Sequence, residues 1–124
     1  MIGILKKLGF GLSKKTIYLV ESEEDEEFVK ESLEEEKYVG IDTEFNWRNT
    51  YFPELSLLQI STSSKILLID CLKYKKLGFL NKILEDKTKK IIMHSSRSDT
   101  TVLNTNLKIK LNNCFDIQIA EKII

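Results

Sequence analysis

Tyr38-Val39-Gly40-Ile41-Asp42-Thr43-Glu44-Phe45 is an apolar run that closes on two carboxylates one residue apart. Read as a strand, its side chains alternate between faces, so Asp42 and Glu44 point the same way. Two acids side by side at a strand end repel each other. A divalent cation between them relieves that repulsion. An exposed strand end accounts for an Asp-x-Glu triplet equally well, so the stretch needs its neighbours.

Upstream, Thr16 to Val20 reads as a strand. Ser22 is a candidate N-cap, and the acids that follow suit the dipole of a helix over 23–36. Phe28, Val29 and Leu33 give that helix a narrow apolar stripe, with the acid run as its solvated face. Downstream, 46–54 reads as a loop with Trp47, Arg48, Tyr51, Phe52 and the only proline, Pro53. Strands are expected over 55–61, 65–70 and 89–93, and helices over 78–85, 98–104 and 115–124. Residues 108–111 read as a short extended segment. Hairpin-linked strands followed by strand–helix alternation predict an α/β fold, a mixed sheet flanked by helices. Residues 16–124 form its one domain. Residues 1–15, apolar and basic, read as a loosely packed terminal extension or a short amphipathic helix.

The chain has 124 residues and a formal net charge of zero, but the charge is not evenly spread. Ten acids and one lysine lie between Glu21 and Glu36, a local −9, which leaves +9 for the rest. That asymmetry is compatible with a basic surface for a polyanion, and equally with lysines spread over every face. No apolar run is long enough for a membrane span. Cys71 and Cys114 sit in apolar contexts and read as reduced core thiols, which favours the cytoplasm.

A second group of functional residue types follows the strand ending at Met93: His94-Ser95-Ser96-Arg97-Ser98-Asp99. Asp99 falls in a first helical turn, at the carboxyl edge of the sheet, where open sheets place their sites. By itself it is a helix-start acid that suits the dipole. His94 reads as a hydrogen-bonded histidine at a strand end or as a catalytic group. Arg48 and Arg97 are candidate phosphate contacts or plain surface charges. Trp47, Tyr51 and Phe52 are candidates for stacking on a base, with core packing an equal option for Phe52. Lys87, Lys89 and Lys90 read as a solvated turn, and Gln59 as the partner of a buried backbone group.

Together, and in this order, YVGIDTEF, an aromatic loop, Tyr51-Phe52-Pro53-Glu54-Leu55-Ser56-Leu57-Leu58-Gln59-Ile60, KILLID, IIMHSSRSDTTVL and Phe115-Asp116-Ile117-Gln118 resemble the ribonuclease D branch of the DEDD 3′–5′ exonucleases. The resemblance runs from about Thr16 to Ile124. It implies a ribonuclease H-like fold and hydrolysis of the terminal phosphodiester of a nucleic acid, RNA more than DNA, with two Mg²⁺ or Mn²⁺ ions. It implies that Asp42 bridges both metals, that Glu44 binds one and contacts the 3′ end, and that Asp99 binds the other. Thr43, Phe45, Arg48, His94 and Arg97 are then the expected nucleic-acid contacts. Asp116 matches a position that opens a helix and is not a ligand.

The sequence departs from the family pattern in its third motif, a Tyr-x-x-x-Asp on a later helix. No such pattern follows Asp99. The expectations are that the C-terminal part of the fold is missing, that one sheet face is left uncovered, and that the chain alone is weak or inactive. Two further readings stay open. One is a noncatalytic relic that binds metal or nucleic acid. The other is an interaction module that oligomerises, or meets a complementing C-terminal polypeptide, through the uncovered face.

Overall fold

The structure, a computed structural model, describes residues 6–10, 15–47, 51–94 and 96–123. In chain order they form β1 (Lys6–Phe10), β2 (Thr16–Val20), a 3-10 turn (Glu23–Asp25), α1 (Glu26–Glu34), β3 (Tyr38–Asn46), β4 (Glu54–Ser61), β5 (Lys65–Asp70), α2 (Leu80–Leu84), β6 (Lys90–Met93), α3 (Ser96–Leu107), β7 (Cys114–Asp116) and α4 (Ile117–Ile123). The sheet has seven strands in the order β1-β2-β5-β4-β3-β6-β7. β3, β4 and β5 form an antiparallel meander, while β2 joins β5, β6 joins β3, and β7 joins β6, all in parallel. This is the ribonuclease H-like mixed sheet flanked by helices that the sequence predicts.

Period-two patterning decides which side is sealed. Val39 and Ile41 of β3, Leu58 and Ile60 of β4, Leu67 and Ile69 of β5, and Ile91 and Met93 of β6 are buried. They form one core with Val29 and Leu33 of α1, Leu80 and Leu84 of α2, and Val102 and Leu103 of α3. Each such side chain contributes roughly 1.5–3 kcal/mol. The alternate residues lie on the other face, where the register sets Ile17, Ile66, Ser61, Gly40, Ile92 and Phe115 in one row across six strands. Gly40 and Ser61 make the middle of that row shallow; a Cβ on Gly40 would meet Ser61 Cβ at 3.4 Å. Tyr38 and Phe115 are 65% and 47% exposed there, so this face is the more open one.

Several expectations change. Part of the 1–15 stretch read as an extension is the edge strand β1, paired antiparallel with β2. Phe115 and Asp116, read as helix, belong to β7, which hydrogen-bonds to β6 before α4 begins. Residues 108–111 carry no strand; Lys108 takes a positive φ of 59° in the turn after α3. Ser22 makes no side-chain cap. Lys89 is not solvated: it is 6% exposed. Its ammonium donates to the carbonyls of Leu33, Glu34 and Glu36 at 2.6, 3.1 and 2.9 Å, satisfying the carboxyl end of α1. Lys87 and Lys90 are exposed, as expected. Both cysteines are free thiols. Burial pushes the Cys71 thiol up to about 11, the behaviour of an inert core residue.

Candidate active site

The site is built around the carboxyl half of β3. Asp42 and Glu44 are exposed on the open face, and Thr43 between them is buried toward the helices. Thr43 therefore does not offer its side chain to a bound strand. Its hydroxyl donates to Oδ1 of Asp99, in the first turn of α3. The β3–β4 pairing shifts between Glu44 and Phe45, a bulge that leaves Ser56 of β4 unpaired. Ser56 Oγ then donates to the Glu44 carbonyl at 2.9 Å. A bulge beside a pair of acids fixes their aim where the ladder is interrupted.

Asp99 is 8% exposed, and its carboxyl is held above the ordinary range. Burial is the largest cause. Hydrogen bonding from Thr43 opposes it, and the negative charges of Asp42 and Glu44 add to it. The three acids thus share one electrostatic field, although they reach it from opposite faces of β3. Their donors are all oxygens, which suits a hard divalent cation. Asp42 and Glu44 are open to such an ion as they stand, while Asp99 is engaged by Thr43. Among the described residues, no three histidine, cysteine or carboxylate side chains are already gathered into an ion-binding cage.

Two concavities flank the acids. On the open face a cavity of about 370 Å³ is bordered by Asp42, Gln59, His94 and Ile117. His94 follows β6, whose carboxyl end lies at the same sheet edge because β6 is parallel to β3. Gln59 pairs with Asp42 across β3–β4, so it faces the site rather than serving a buried backbone group. On the helical side a cavity of about 450 Å³ is bordered by Phe45, Trp47, Tyr51, Phe52 and Arg97. The fold therefore brings His94 to Asp42, and Phe45 to Arg97, on the two sides of the strand end. Arg48 lies outside the described residues.

Some supporting residues carried no clear signal in the sequence. Asp116 Oδ2 accepts from the Ser96 N–H at 2.7 Å, and its Oδ1 accepts from the Gln118 and Ile119 N–H groups at 2.9 and 3.4 Å. One carboxylate thus caps α3 and α4 together. Its place before a helix was readable, in agreement with the expectation that it opens one; its bond to Ser96 was not. Asn106 of α3 donates to the Pro53 carbonyl and accepts from the Leu55 N–H, each at 3.0 Å. That pair of bonds ties the start of β4 to the helix carrying Asp99.

Residues 17–124 match the family model described as 3′-5′ exonuclease. A ribonuclease D of Desulfotalea psychrophila is 36% identical over 83 residues, 66% of this chain and 22% of that protein. The catalytic core of RRP6 from Trypanosoma brucei superposes with a TM-score of 0.82 at 24% identity, over 94% of this chain and 33% of that one. The EXD2 exonuclease domain soaked in Mn and GMP gives a TM-score of 0.66 at 25% identity, over 86% of this chain and 58% of that one. The chain spans about a quarter of the length of the ribonuclease D proteins it matches.

Proposed function

This chain belongs to the 3′–5′ exonuclease family, in its ribonuclease D-like branch, and we propose that it carries the Asp-x-Glu half of a two-metal site acting on the 3′ end of RNA. The observation that carries this reading is the placement of Asp42 and Glu44 on one open face, within the field of Asp99. The resemblance to ribonuclease D proteins favours RNA over DNA. The free thiols favour the cytoplasm.

Asp42 and Glu44 would hold Mg²⁺ or Mn²⁺, with Asp99 joining from α3. When bound, such a pair of ions activates a water and neutralises the phosphate under attack. The chain's own contribution is orientation. The Ser56 bulge fixes the Glu44 backbone, Thr43 positions the Asp99 carboxylate, and Asp116 holds the start of α3 from below. His94 and Gln59 border the space next to Asp42 that a terminal nucleotide would enter. No tyrosine follows Tyr74 in the sequence, so the tyrosine expected to position the water is not among these residues. Turnover by the isolated chain is therefore weak.

A 3′-labelled single-stranded oligoribonucleotide incubated with Mn²⁺ and the purified chain tests this. Slow, metal-dependent release of mononucleotides, lost in Asp42→Ala and Glu44→Ala, is the expected result. Brisk turnover would overturn the weak-activity reading. Release that persists in both variants would overturn the assignment of the site. If nothing is released, Mn²⁺ should still raise the melting temperature of the wild type and not of Asp42→Ala; equal responses would remove the metal site as well.

A further inference from the structure

The acids of α1 border neither of the cavities beside Asp42. Glu27, Glu31 and Glu34, all exposed, stand four and three residues apart and so form one row along the helix. That row is one wall of a groove of about 570 Å³ between α1 and the segment that runs through α2 toward β6. The floor is apolar: Phe79 and Ile83, four residues apart, pack against the core and still reach the groove. Gly78 leaves the mouth wide, because a Cβ there would meet nothing within 4 Å. At the far end Asp86 is held below the ordinary carboxylate range by the hydroxyl and the N–H of Thr88, and it stays ionised. Two of the bordering cations are already engaged. Lys30 pairs with Glu26 at 3.1 Å and lies 5.7 Å from the centroid of the Phe79 ring. The Lys89 ammonium is turned inward to the carbonyls at the end of α1. Four carboxylates are left facing Lys82.

An apolar strip edged by acids repels a phosphodiester chain and leaves its carboxylates unanswered by a neutral surface. We infer that this groove is a docking site for a basic amphipathic helix of a partner protein. Apolar side chains four residues apart on that helix cover Phe79 and Ile83, and Lys or Arg side chains along its flank meet Glu27, Glu31 and Glu34. From Glu27 to Glu34 the acid row covers roughly 10 Å of helix, so about two turns of the partner are held. The groove is remote from the acid pair. α1 ends beside the amino end of β3, and Asp86 precedes β6, where Tyr38 pairs with Lys90. Asp42 and Glu44 lie further along β3 and on its other face. A partner seated in the groove therefore leaves the nucleic-acid side free. The contact is one of recruitment, and it does not depend on the nuclease reading.

The test uses the full chain and a fluorescein-labelled model helix with leucines at i and i+4 and lysines along one flank. Two control peptides share its length: one with the same residues scrambled, one with glutamate in place of each lysine. Anisotropy should show saturable binding of the model helix and binding of both controls weaker by about tenfold or more. Glu27→Lys combined with Glu31→Lys, on exposed side chains, should weaken the model helix about tenfold. Gly78→Trp should do the same, since it fills the mouth of the groove at a position where the backbone is not left-handed and nothing is displaced. Asp42→Ala should bind the model helix as the wild type does. Equal binding of the scrambled peptide, or equal competition by spermidine, would leave only an acidic surface and overturn the proposal. Binding that survives Gly78→Trp, or that is lost in Asp42→Ala, would put the peptide elsewhere and overturn it as well. Displacement by oligo-uridylate without a divalent cation would give the groove to nucleic acid. Failure of the model helix to bind would remove the docking site and leave the nuclease reading intact.

Discussion

Thr43 of β3 and Asp99 of α3 are joined by a hydrogen bond from hydroxyl to carboxylate, and this bond couples the acid face of the sheet to its helical face. Asp99 is buried near two other acids, so its ionised form costs stability in the absence of a cation. The folded-state value lies above the ordinary 3.8, so the folded chain binds the proton more readily than the unfolded chain. The contribution of Asp99 to stability is then most favourable at low pH and falls as pH rises from 3.8 through the raised folded value. Asp99→Asn removes this loss. In metal-free buffer at pH 7 it should melt a few degrees higher than the wild type, and the difference should shrink toward pH 3.8 and vanish about one unit below it, where both states are protonated. A variant that melts lower at pH 7 would contradict the account.

Thr43→Val removes the hydroxyl and keeps the branched shape. The acid is left with less hydrogen bonding, and its carboxyl should rise further. A loss of about 1–2 kcal/mol at neutral pH is expected from urea denaturation, shrinking toward acid. Thr43→Ser retains the donor and should lose less than half of that. If both variants lose equally, packing rather than the hydrogen bond is what Thr43 contributes.

Lys89 offers a third test. Its ammonium satisfies three carbonyls at the end of α1, at 2.6–3.1 Å. Lys89→Ala should cost about 2–3 kcal/mol in denaturant unfolding, through charged hydrogen bonds lost at a helix terminus. Lys87→Ala and Lys90→Ala, on exposed neighbours, should fall within about 0.5 kcal/mol of the wild type. Similar values for all three would return Lys89 to the solvated turn that its sequence context suggests.

Such residues show where sequence reading stops. The alternation along β3 sets Asp42 and Glu44 on one face because a strand has a period of two, and that was legible from eight residues; Thr43, expected as a nucleic-acid contact, is instead buried. The stripe of Phe28, Val29 and Leu33 fixed the inner side of α1 in the same way. Lys89 was not legible, because its partners are carbonyls that carry no side-chain signature and reach it only once α1 packs against the turn before β6. Phe115 and Asp116 were read as helix because the apolar spacing after them is helical; their pairing with β6 is a tertiary fact. The bond from Thr43 to Asp99 belongs to the same class, since the two residues meet only when α3 docks on β3. Gln59 was read as the partner of a buried backbone group from its apolar neighbours, but it pairs with Asp42 and lies on the open face.

Asp116 gives a fourth prediction. It caps α3 through Ser96 and α4 through Gln118 and Ile119, and it is not placed among the metal ligands. Asp116→Ala should cost about 1–2 kcal/mol, the loss of a cap. The rise in melting temperature produced by Mn²⁺ should remain. If the substitution abolishes the response to Mn²⁺ while the chain stays folded, Asp116 belongs to the ion site after all.

The greasy seal of this sheet lies on the side away from Asp42 and Glu44. The exposed pair of acids and the bulk of the core therefore lie on opposite sides of the same ribbon, with Asp99 reaching the pair from the sealed side. The accessible side, with its shallow middle at Gly40 and Ser61, can be rewritten residue by residue while the chain still collapses on its other side. A library varied at Tyr38, Gln59, Ser61 and Ile92 would sample new specificities around a fixed pair of acids, with soluble expression as the only gate.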